Sequence, residues 1–337
     1  MKSTYIVFTE PNAVDLFEED VSSPEPGEVL CAAERSLISI GTELHCLRGV
    51  FDPGTNWAGW VRYPFRPGYS MSARVIAVGS GVQDVREGDR VGVAVPHQQL
   101  FRVGANRVQK LPDGVSYEDG AWLSLSNTTQ LAVRRAELAM GETVGVVGLG
   151  MLGQLIVQYL WVCGARQIFA IDPVPGRAAR ALTRGATHAL TMDATQARAE
   201  IEKLTLGRML DAVFDVTGHP SALAPSTELL RKLGRVVLVG DTPTPSQQHL
   251  GPRVLSRSLA ILAIHASMNP SEASPFNPWT GEETRALFMD YIVQGRMTVA
   301  DLTTRRCSPA DAPAVYADLL TDRSRDLGVI FDWSLLS

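Results

Sequence analysis

Three glycines near the middle of the chain have the spacing G-x-G-x-x-G: Gly148, Gly150 and Gly153. They follow an apolar, β-rich run and open a second apolar stretch, so a buried strand is expected to turn sharply into a helix. The first glycine permits the bend, the second lets the backbone approach a pyrophosphate, and the third allows close helix-to-strand packing. The free amides of Met151 and Leu152 and the positive end of the helix dipole would face the phosphates. The segment therefore predicts a dinucleotide site and redox chemistry.

An acidic residue, Asp172, closes the next apolar run at about the twenty-residue spacing that a ribose contact requires. A carboxylate there accepts a hydrogen bond from the adenosine 2′-hydroxyl and repels a 2′-phosphate, so NAD is preferred over NADP. Arg177 qualifies this preference. Its guanidinium could hold a 2′-phosphate, or it could equally lie along the adenosine ribose.

Composition limits the class of protein. A chain of 337 residues that is 45% hydrophobic can bury a substantial core, most plausibly in two domains. A net charge of −5 with scattered basic residues argues against nucleic acid as a partner. Since no apolar run approaches the roughly 18 residues needed to cross a bilayer, we expect no membrane association and a cytoplasmic location. The four cysteines form no C-x-x-C pair, which argues against disulfides and thiolate metal sites.

The texture of the chain changes near Ser126. Before it, short β-like runs are separated by Pro and Gly, which is all-β character. After it, strands and helices alternate, which predicts a doubly wound parallel sheet. One helix of that alternation is expected over 221–232. The apolar run 258–264 should be the last strand, and its exposed edge could pair across a two-fold axis.

Several further segments accompany the glycine turn: SIGTELH at 39–45, PGYS at 67–70, GDRV at 88–91, LPDGV at 111–115 and DVTG at 215–218. In this order they resemble the medium-chain dehydrogenase/reductase superfamily, the relatives of zinc alcohol dehydrogenase. The resemblance covers essentially the whole chain.

The resemblance implies an α/β fold with two domains. A GroES-like catalytic β domain would comprise 1–125 and 276–337, a Rossmann NAD-binding domain would comprise 126–275, and the active site would lie in the cleft. Thr217 of the DVTG segment joins the expected cofactor contacts, as does His265 beyond the last strand, near the nicotinamide. A homodimer is the family-like expectation.

The chain departs from the zinc pattern at each ligand position. Ile40 stands where zinc-dependent members have a cysteine, Tyr69-Ser70 replaces His-Glu, and the third ligand would fall at Ser124 or Leu125. Isoleucine cannot coordinate a metal, and hydroxyl side chains are poor Zn²⁺ ligands. We therefore predict no catalytic and no structural zinc. The G-T-E and G-Y-S segments resemble a zinc-lacking branch that includes bacteriochlorophyllide dehydrogenase-like proteins.

Without a metal, side chains must polarise the substrate oxygen and move its proton. Thr42 and His45 occupy positions that resemble the hydroxyl-to-imidazole relay of zinc alcohol dehydrogenases; alternatively they are a capping threonine and a surface histidine. Tyr69 could hydrogen-bond the substrate oxygen, or simply fill the vacated metal pocket with its ring.

Two further candidates have open roles. Glu43 is either a general base or the partner of an arginine such as Arg74. His97 comes from a region that reaches the cleft in relatives, although a lone histidine is usually structural. The aromatic segment 51–65 could stack on a sugar, cyclitol or planar ring, or be a packed loop.

The leading hypothesis is a zinc-independent, NAD-dependent enzyme that interconverts a secondary alcohol and a ketone by direct hydride transfer. The alcohol would be a polyol, a sugar derivative or a natural-product intermediate. A second hypothesis is an enone or quinone reductase, against which Asp172 counts because those enzymes usually prefer NADPH. A third is a non-catalytic NAD-binding protein.

Overall fold

The structure is a computed structural model that describes residues 1–336. The strands are β1 (Lys2–Glu10), β2 (Ala13–Asp20), β3 (Glu28–Leu37), β4 (Met71–Val78), β5 (Arg90–Val93), β6 (Leu100–Gly104), β7 (Gln109–Lys110), β8 (Thr143–Val147), β9 (Gln167–Ile171), β10 (His188–Leu190), β11 (Leu210–Asp215), β12 (Leu230–Leu238), β13 (Ala260–Ala263), β14 (Thr303–Cys307) and β15 (Gly328–Asp332). The helices are α1 (Ile40–Arg48), α2 (Asn56–Trp60), α3 (Tyr117–Gly120), α4 (Leu123–Arg135), α5 (Met151–Val162), α6 (Pro175–Leu182), α7 (Ala194–Leu204), α8 (Leu223–Glu228), α9 (Gly281–Val293) and α10 (Ala312–Thr321).

The chain divides into two compact units. The first consists of Met1–Leu125 together with the residues from Glu282 onward, and the second is Ser126–Gly281. Each unit has its own sheet. Among residues 1–336, no helix has the length and apolar character needed to cross a membrane.

The second unit is a doubly wound α/β sheet. Its strands lie in the order β10-β9-β8-β11-β12-β13, and neighbouring strands run parallel. This is the order of dinucleotide-binding folds, in which ligands bind at the carboxyl ends of the strands where the order reverses, here between β8 and β11. Helix α5 is buried along most of its length because its sequence is apolar on nearly every face. The predicted α/β class is confirmed.

The helix expected over 221–232 is shorter than its sequence suggests. Helix α8 ends at Glu228 and strand β12 begins at Leu230, which pairs with Leu210 of β11. The apolar pair Leu229 and Leu230 fits helical periodicity, but both side chains are buried in the core that the sheet forms. Burial of these two side chains in the core therefore outweighs the local helical pattern, and strand β12 begins inside the segment that was expected to be helical.

The first unit is built from both ends of the chain. Its sheet has the order β14-β15-β3-β4-β5-β7, with β6 pairing β3, while β1 and β2 form a separate hairpin. Strand β15, near the C-terminus, runs antiparallel to β3 and pairs Ile330 with Leu37. Just beyond that pair, the Ile38 amide donates to the Val329 carbonyl at 2.9 Å. The C-terminal strand thus fixes the point at which β3 ends and helix α1 begins.

Candidate active site and nucleotide site

The glycine turn after β8 has the backbone geometry that a pyrophosphate requires. Gly148 has a φ of +90°, in the left-handed region that favours glycine. A Cβ on Gly153 would lie 2.1 Å from the Gly148 carbonyl oxygen, so only glycine allows this close packing of helix on turn. A Cβ on Gly150 would meet no atom within 4 Å. Space is therefore open at the one glycine where a phosphate group would approach the backbone.

The N-terminus of α5 adds donors to this turn. Gly150 is its N-cap residue and no side chain caps the helix, whose first turn includes Met151 and Leu152. The amides of that first turn carry the positive end of the helix dipole. A dinucleotide fits these residues, because they combine open space at Gly150 with uncapped helix amides.

Asp172 is buried at the end of β9 and holds the turn in place. Its Oδ2 accepts a hydrogen bond from the Leu149 amide at 2.7 Å, and its Oδ1 accepts one from the Val174 amide at 2.8 Å. Because a carboxylate has about four acceptor sites, these two bonds leave capacity for a ribose hydroxyl. Asp172 therefore braces the glycine turn, and its contact with a ribose stays a prediction.

The other expected cofactor residues occupy nearby segments of the second unit. Arg177 lies in the first turn of α6, and its backbone carbonyl accepts a hydrogen bond from the side-chain Nε2 of Gln154 at 2.9 Å. Thr217 follows β11, where a Cβ on Gly148 would lie 2.9 Å from its Cγ2. His265 is exposed and caps a 3₁₀ turn, where its Nδ1 accepts from the Ser267 amide at 3.3 Å. The roles of these three residues toward a cofactor stay predictions.

In the first unit, three hydroxyl groups meet at the start of helix α1. The Tyr69 Oη lies 2.6 Å from the Ser39 Oγ and 3.4 Å from the Thr42 Oγ1. Burial raises the pKa of the Tyr69 phenol, while its hydrogen bonds with Ser39 and Thr42 lower that pKa in part. Tyr69 therefore remains a neutral phenol near neutral pH and can act as a hydrogen-bond donor. We call Ser39, Thr42 and Tyr69 the hydroxyl cluster.

Glu43 is buried next to this cluster and accepts three hydrogen bonds. Its Oε1 accepts from the Ser39 amide at 2.7 Å. Its Oε2 lies 3.1 Å from the His97 Nε2 and accepts from the Tyr316 hydroxyl at 2.5 Å. A buried carboxylate with this many donors is well stabilised. Because Glu43 is buried, it lacks the accessibility that a general base needs to reach a substrate that enters from solvent.

The histidine in this network is also fully buried and has a partner at each ring nitrogen. The His97 Nδ1 lies 2.8 Å from the Ser36 Oγ, which accepts from the Trp333 indole N–H at 2.9 Å. The Glu43 carboxylate can only accept, so the proton between it and the His97 Nε2 belongs to the histidine. We therefore assign the His97 proton to Nε2, from which it is donated to Glu43.

The alternative prediction that Glu43 pairs with Arg74 is wrong. Arg74 lies 3.6 Å from a carboxylate oxygen of Glu34, at the surface of the sheet. Successive side chains of a strand point to opposite faces of the sheet. The short distance in sequence between Arg74 and the PGYS segment therefore does not place the Arg74 side chain near Glu43.

Helix α1 carries Thr42 and His45 into different surroundings. Thr42 belongs to the hydroxyl cluster, whereas the His45 ring packs edge-on against Trp57 with ring centroids 5.5 Å apart. Trp57 in turn stacks on Phe51 at 6.1 Å. The relay role of His45 stays a prediction.

The aromatic segment 51–65 is largely a packed loop. Trp57 is buried, and the Tyr63 hydroxyl donates to the Cys46 carbonyl of α1 at 2.5 Å. Trp60 is the more accessible ring, with 46% of its surface exposed. Of these aromatic side chains, Trp60 has the most surface available for a ligand.

Comparison with known proteins places this geometry in a family. Residues 152–279 match the family model described as "Zinc-binding dehydrogenase". The chain is 30% identical over 266 residues to the (R,R)-butanediol dehydrogenase of Bacillus subtilis (strain 168), a match that covers 68% of this chain and 75% of that protein. The chain belongs to the medium-chain dehydrogenase/reductase superfamily.

Two more comparisons concern a further relative in sequence and a solved structure with a similar fold. The sorbitol dehydrogenase of Bacillus subtilis (strain 168) is 28% identical over 221 residues, which cover 56% of this chain and 62% of that protein, so the match spans less than two thirds of its length. The crystal structure of 2R,3R-butanediol dehydrogenase from Bacillus subtilis has a TM-score of 0.81 at 21% identity, covering 98% of this chain and 99% of that one. This last likeness concerns the fold.

The side chains of this medium-chain dehydrogenase/reductase do not fit the zinc that its family model names. The Ser70 hydroxyl donates to the Ala121 carbonyl at 2.5 Å, and the Ser124 hydroxyl donates to the Tyr69 carbonyl at 2.7 Å. Ile40 and Leu125 are buried apolar side chains without a donor atom. Within the described residues 1–336, no group of three His, Cys, Asp or Glu side chains could hold a metal ion.

Four polar side chains of this site escaped the sequence analysis: Ser36, Ser39, Tyr316 and Trp333. Ser39 precedes the residues singled out in the SIGTELH segment and could have been found as a hydroxyl next to Thr42. Tyr316 and Trp333 carry no local signal, because each lies in an ordinary amphipathic or apolar C-terminal segment. The packing of helix α10 on helix α1 and the pairing of β15 with β3 bring these side chains to the site.

Proposed function

We propose that this protein is a zinc-independent, NAD(H)-dependent oxidoreductase that interconverts a secondary alcohol and a ketone by direct hydride transfer. The observation that carries the proposal is the hydroxyl cluster, in which the Tyr69 Oη lies 2.6 Å from the Ser39 Oγ. The motif resemblance implies that zinc-dependent members have a metal ligand at the position of Tyr69. Two relatives are named for a diol and a polyol, which supports an alcohol substrate of this class.

The second unit would bind the cofactor. Gly148, Gly150 and Gly153 and the first-turn amides of α5 would hold the pyrophosphate, and Asp172 would accept from the adenosine ribose. A buried carboxylate at that place favours NAD over NADP through repulsion of a 2′-phosphate. When bound, the nicotinamide supplies or accepts the hydride.

The first unit would manage the proton. In ketone reduction, the Tyr69 O–H donates its proton to the carbonyl oxygen as the carbonyl carbon takes the hydride. The Ser39 or Thr42 hydroxyl then donates a proton to Tyr69 and is itself reprotonated from solvent. The sum is ketone, NADH and one proton giving alcohol and NAD⁺, and oxidation runs through the same steps in reverse.

An assay on metal-free protein tests the proposal. Protein purified without chelator should contain well under one zinc per chain by elemental analysis. With a panel of secondary alcohols that includes sorbitol and 2,3-butanediol, it should form NADH at a rate that chelator does not change. NAD should be preferred over NADP by at least about tenfold in kcat/KM, roughly the 1.4 kcal/mol expected of one repulsive contact.

A zinc-containing alcohol dehydrogenase treated in parallel is the control, and it should lose activity with chelator. Stoichiometric zinc, together with loss of activity on its removal, would refute zinc independence. Faster reduction of enones or quinones with NADPH would instead support a reductase. If no member of either panel gave turnover while NAD still bound, the protein would be a non-catalytic NAD-binding protein.

We also propose a homodimer formed through strand β13. This strand lies at the edge of its sheet, and Ile261 on it is 38% exposed. Leu255 and Met268, on either side of the strand, are 92% and 71% exposed. An apolar edge strand needs a cover, and a second copy provides one by continuing the sheet across a two-fold axis.

Light scattering during size-exclusion chromatography tests this interface. The wild-type protein should have the mass of two chains, and Ile261→Lys should shift it to one chain because a charge would be buried at the dimer axis. Leu182→Lys, at a similarly exposed leucine on helix α6, is the matched control and should leave the dimer intact. A wild-type protein with the mass of a single chain would contradict the proposal.

A further inference from the structure

We propose that Glu43, His97 and Tyr316 form a positioning network that sets the distance between the Ser39 and Tyr69 hydroxyls. This inference rests on the proposed function, because the network is proposed to hold the hydroxyls that transfer the proton at hydrogen-bond distance. All three side chains are buried, and the proposal assigns them no contact with substrate or cofactor. They act through the backbone segments that carry the hydroxyl cluster.

The first step connects Glu43 to Ser39. Ser39 is the N-cap of helix α1, with φ −78° and ψ 80°, and its carbonyl accepts the first helical hydrogen bond, from the Glu43 amide at 2.8 Å. Its own amide has no acceptor within the helix and donates to the Glu43 Oε1 at 2.7 Å, one turn further along. A shift of the Glu43 carboxylate would therefore move the backbone that carries the Ser39 hydroxyl.

The second step connects His97 to Tyr69. The His97 amide donates to the Pro67 carbonyl at 2.8 Å, two residues before Tyr69. Gly68 has a φ of +97°, and a Cβ there would lie 2.7 Å from the His97 Cδ2, so the imidazole packs directly against this backbone. The Nε2 atom of the same ring, which is bonded to that Cδ2, contacts Glu43. One buried histidine thus joins the backbone of Tyr69 to the carboxylate that holds Ser39.

The third step is the role of Tyr316. It is fully buried on helix α10, where its ring packs edge-on against Phe8 with centroids 5.0 Å apart. Burial and the nearby Glu43 carboxylate raise the pKa of Tyr316 well above its usual value, so its hydroxyl stays a donor. Tyr316 and His97 share the Glu43 Oε2. Loss of the Tyr316 hydroxyl leaves a buried carboxylate short of one donor, and the carboxylate is expected to rotate to recover it.

Crystal structures and kinetics of Tyr316→Phe test the network. In the variant structure, the Ser39 Oγ to Tyr69 Oη distance should lengthen beyond about 3.5 Å, the limit of a hydrogen bond. The kcat for ketone reduction should fall about tenfold, as expected when reacting groups are misplaced by less than 1 Å. The dissociation constant for NADH should stay within about twofold, since the second unit is unchanged.

Two comparisons separate positioning from a general loss of stability. Tyr159→Phe removes another buried tyrosine hydroxyl, which lies 2.6 Å from the Ser126 Oγ in the second unit, and should leave both the distance and kcat unchanged. In a Tyr69→Phe background, Tyr316→Phe should lower kcat no further, because the network acts only through Tyr69.

An unchanged Ser39 to Tyr69 distance in the Tyr316→Phe structure would overturn the inference, as would full additivity of the two variants in kcat. If Tyr316→Phe does not fold, Trp333→Phe removes the donor to Ser36 and should lengthen the same distance while lowering kcat about threefold. A wild-type enzyme without turnover would refute the proposed function, whereas the distances would still decide the network.

Discussion

Replacing Tyr69 with phenylalanine should lower kcat for ketone reduction by about 10²–10³-fold, the contribution expected of a positioned general acid. The phenol is the one group of the hydroxyl cluster that contacts both of the others, at 2.6 Å and 3.4 Å. Without it, Ser39 and Thr42 keep their hydroxyls, but the proposed proton donor to the substrate is lost. Steady-state rates at saturating ketone and NADH measure the effect.

The free energy of unfolding should change by only about 1 kcal/mol in Tyr69→Phe, because the aromatic ring is retained and one neutral hydrogen-bonded group is lost. Tyr63→Phe is the matched control. It removes a hydroxyl that also bonds to helix α1, at the Cys46 carbonyl, and kcat should stay within about threefold of wild type. Full turnover in Tyr69→Phe would rule out the proposed acid.

The direction of the Tyr69 pKa shift also predicts a pH dependence. Because burial raises that pKa, the phenol stays protonated through neutral and mildly alkaline pH, and ketone reduction should be nearly independent of pH there. Alcohol oxidation needs the proton to leave, so its rate should increase as pH rises toward the phenol pKa. Rate profiles measured in both directions, with Tyr69→Phe losing the alkaline rise in oxidation, check this assignment.

Alanine at Gly150 and alanine at Gly153 should have opposite effects on folding and on cofactor binding. At Gly153 a Cβ would lie 2.1 Å from the Gly148 carbonyl, so the helix must move off the turn, at a cost of about 3 kcal/mol in the free energy of unfolding. At Gly150 a Cβ meets nothing within 4 Å and the φ of −68° suits alanine, so stability should be nearly unchanged. The methyl group would instead occupy the space open to the pyrophosphate.

We expect Gly150→Ala to weaken NADH binding by about 100-fold, or about 2.7 kcal/mol. Urea unfolding and isothermal titration calorimetry measure the two quantities on the same protein samples. Gly176→Ala on helix α6, where a Cβ also meets nothing within 4 Å, is the control for stability and should be neutral or slightly stabilising. Unaltered NADH affinity in Gly150→Ala would show that the dinucleotide does not bind at this turn.

The nucleotide-binding turn could be predicted from sequence because its physics is local. The strand and the helix predicted on either side of the glycine turn are β8 and α5 in the structure. Glycine spacing, an apolar strand and an apolar helix all lie within about twenty residues of one another, so each supports the others. The end of α8 was missed because burial of Leu229 and Leu230 depends on distant strands.

The hydroxyl cluster and the buried network beside it could be predicted only in part, because their contacts join segments that are far apart in sequence. Tyr69, Thr42 and Glu43 sit in short motifs and could be named, but Glu43 bonds to Tyr316 across 273 positions of sequence. Trp333 and Ser36 are 297 positions apart. A lone histidine such as His97 has no local pattern that reveals which buried groups it joins. Such contacts follow from the packing of α10 on α1 and the pairing of β15 with β3, which one sequence does not specify.

The discontinuous first unit has a consequence for synthesis of the chain. On the ribosome, residues 126–281 emerge and can complete their sheet while the N-terminal segment still lacks β15, Tyr316 and Trp333. Domains generally fold as units during translation at roughly 5–20 residues per second, so Glu43 and His97 would wait several seconds or more for their last partners. The nascent enzyme should therefore acquire nucleotide affinity before it acquires the capacity for turnover.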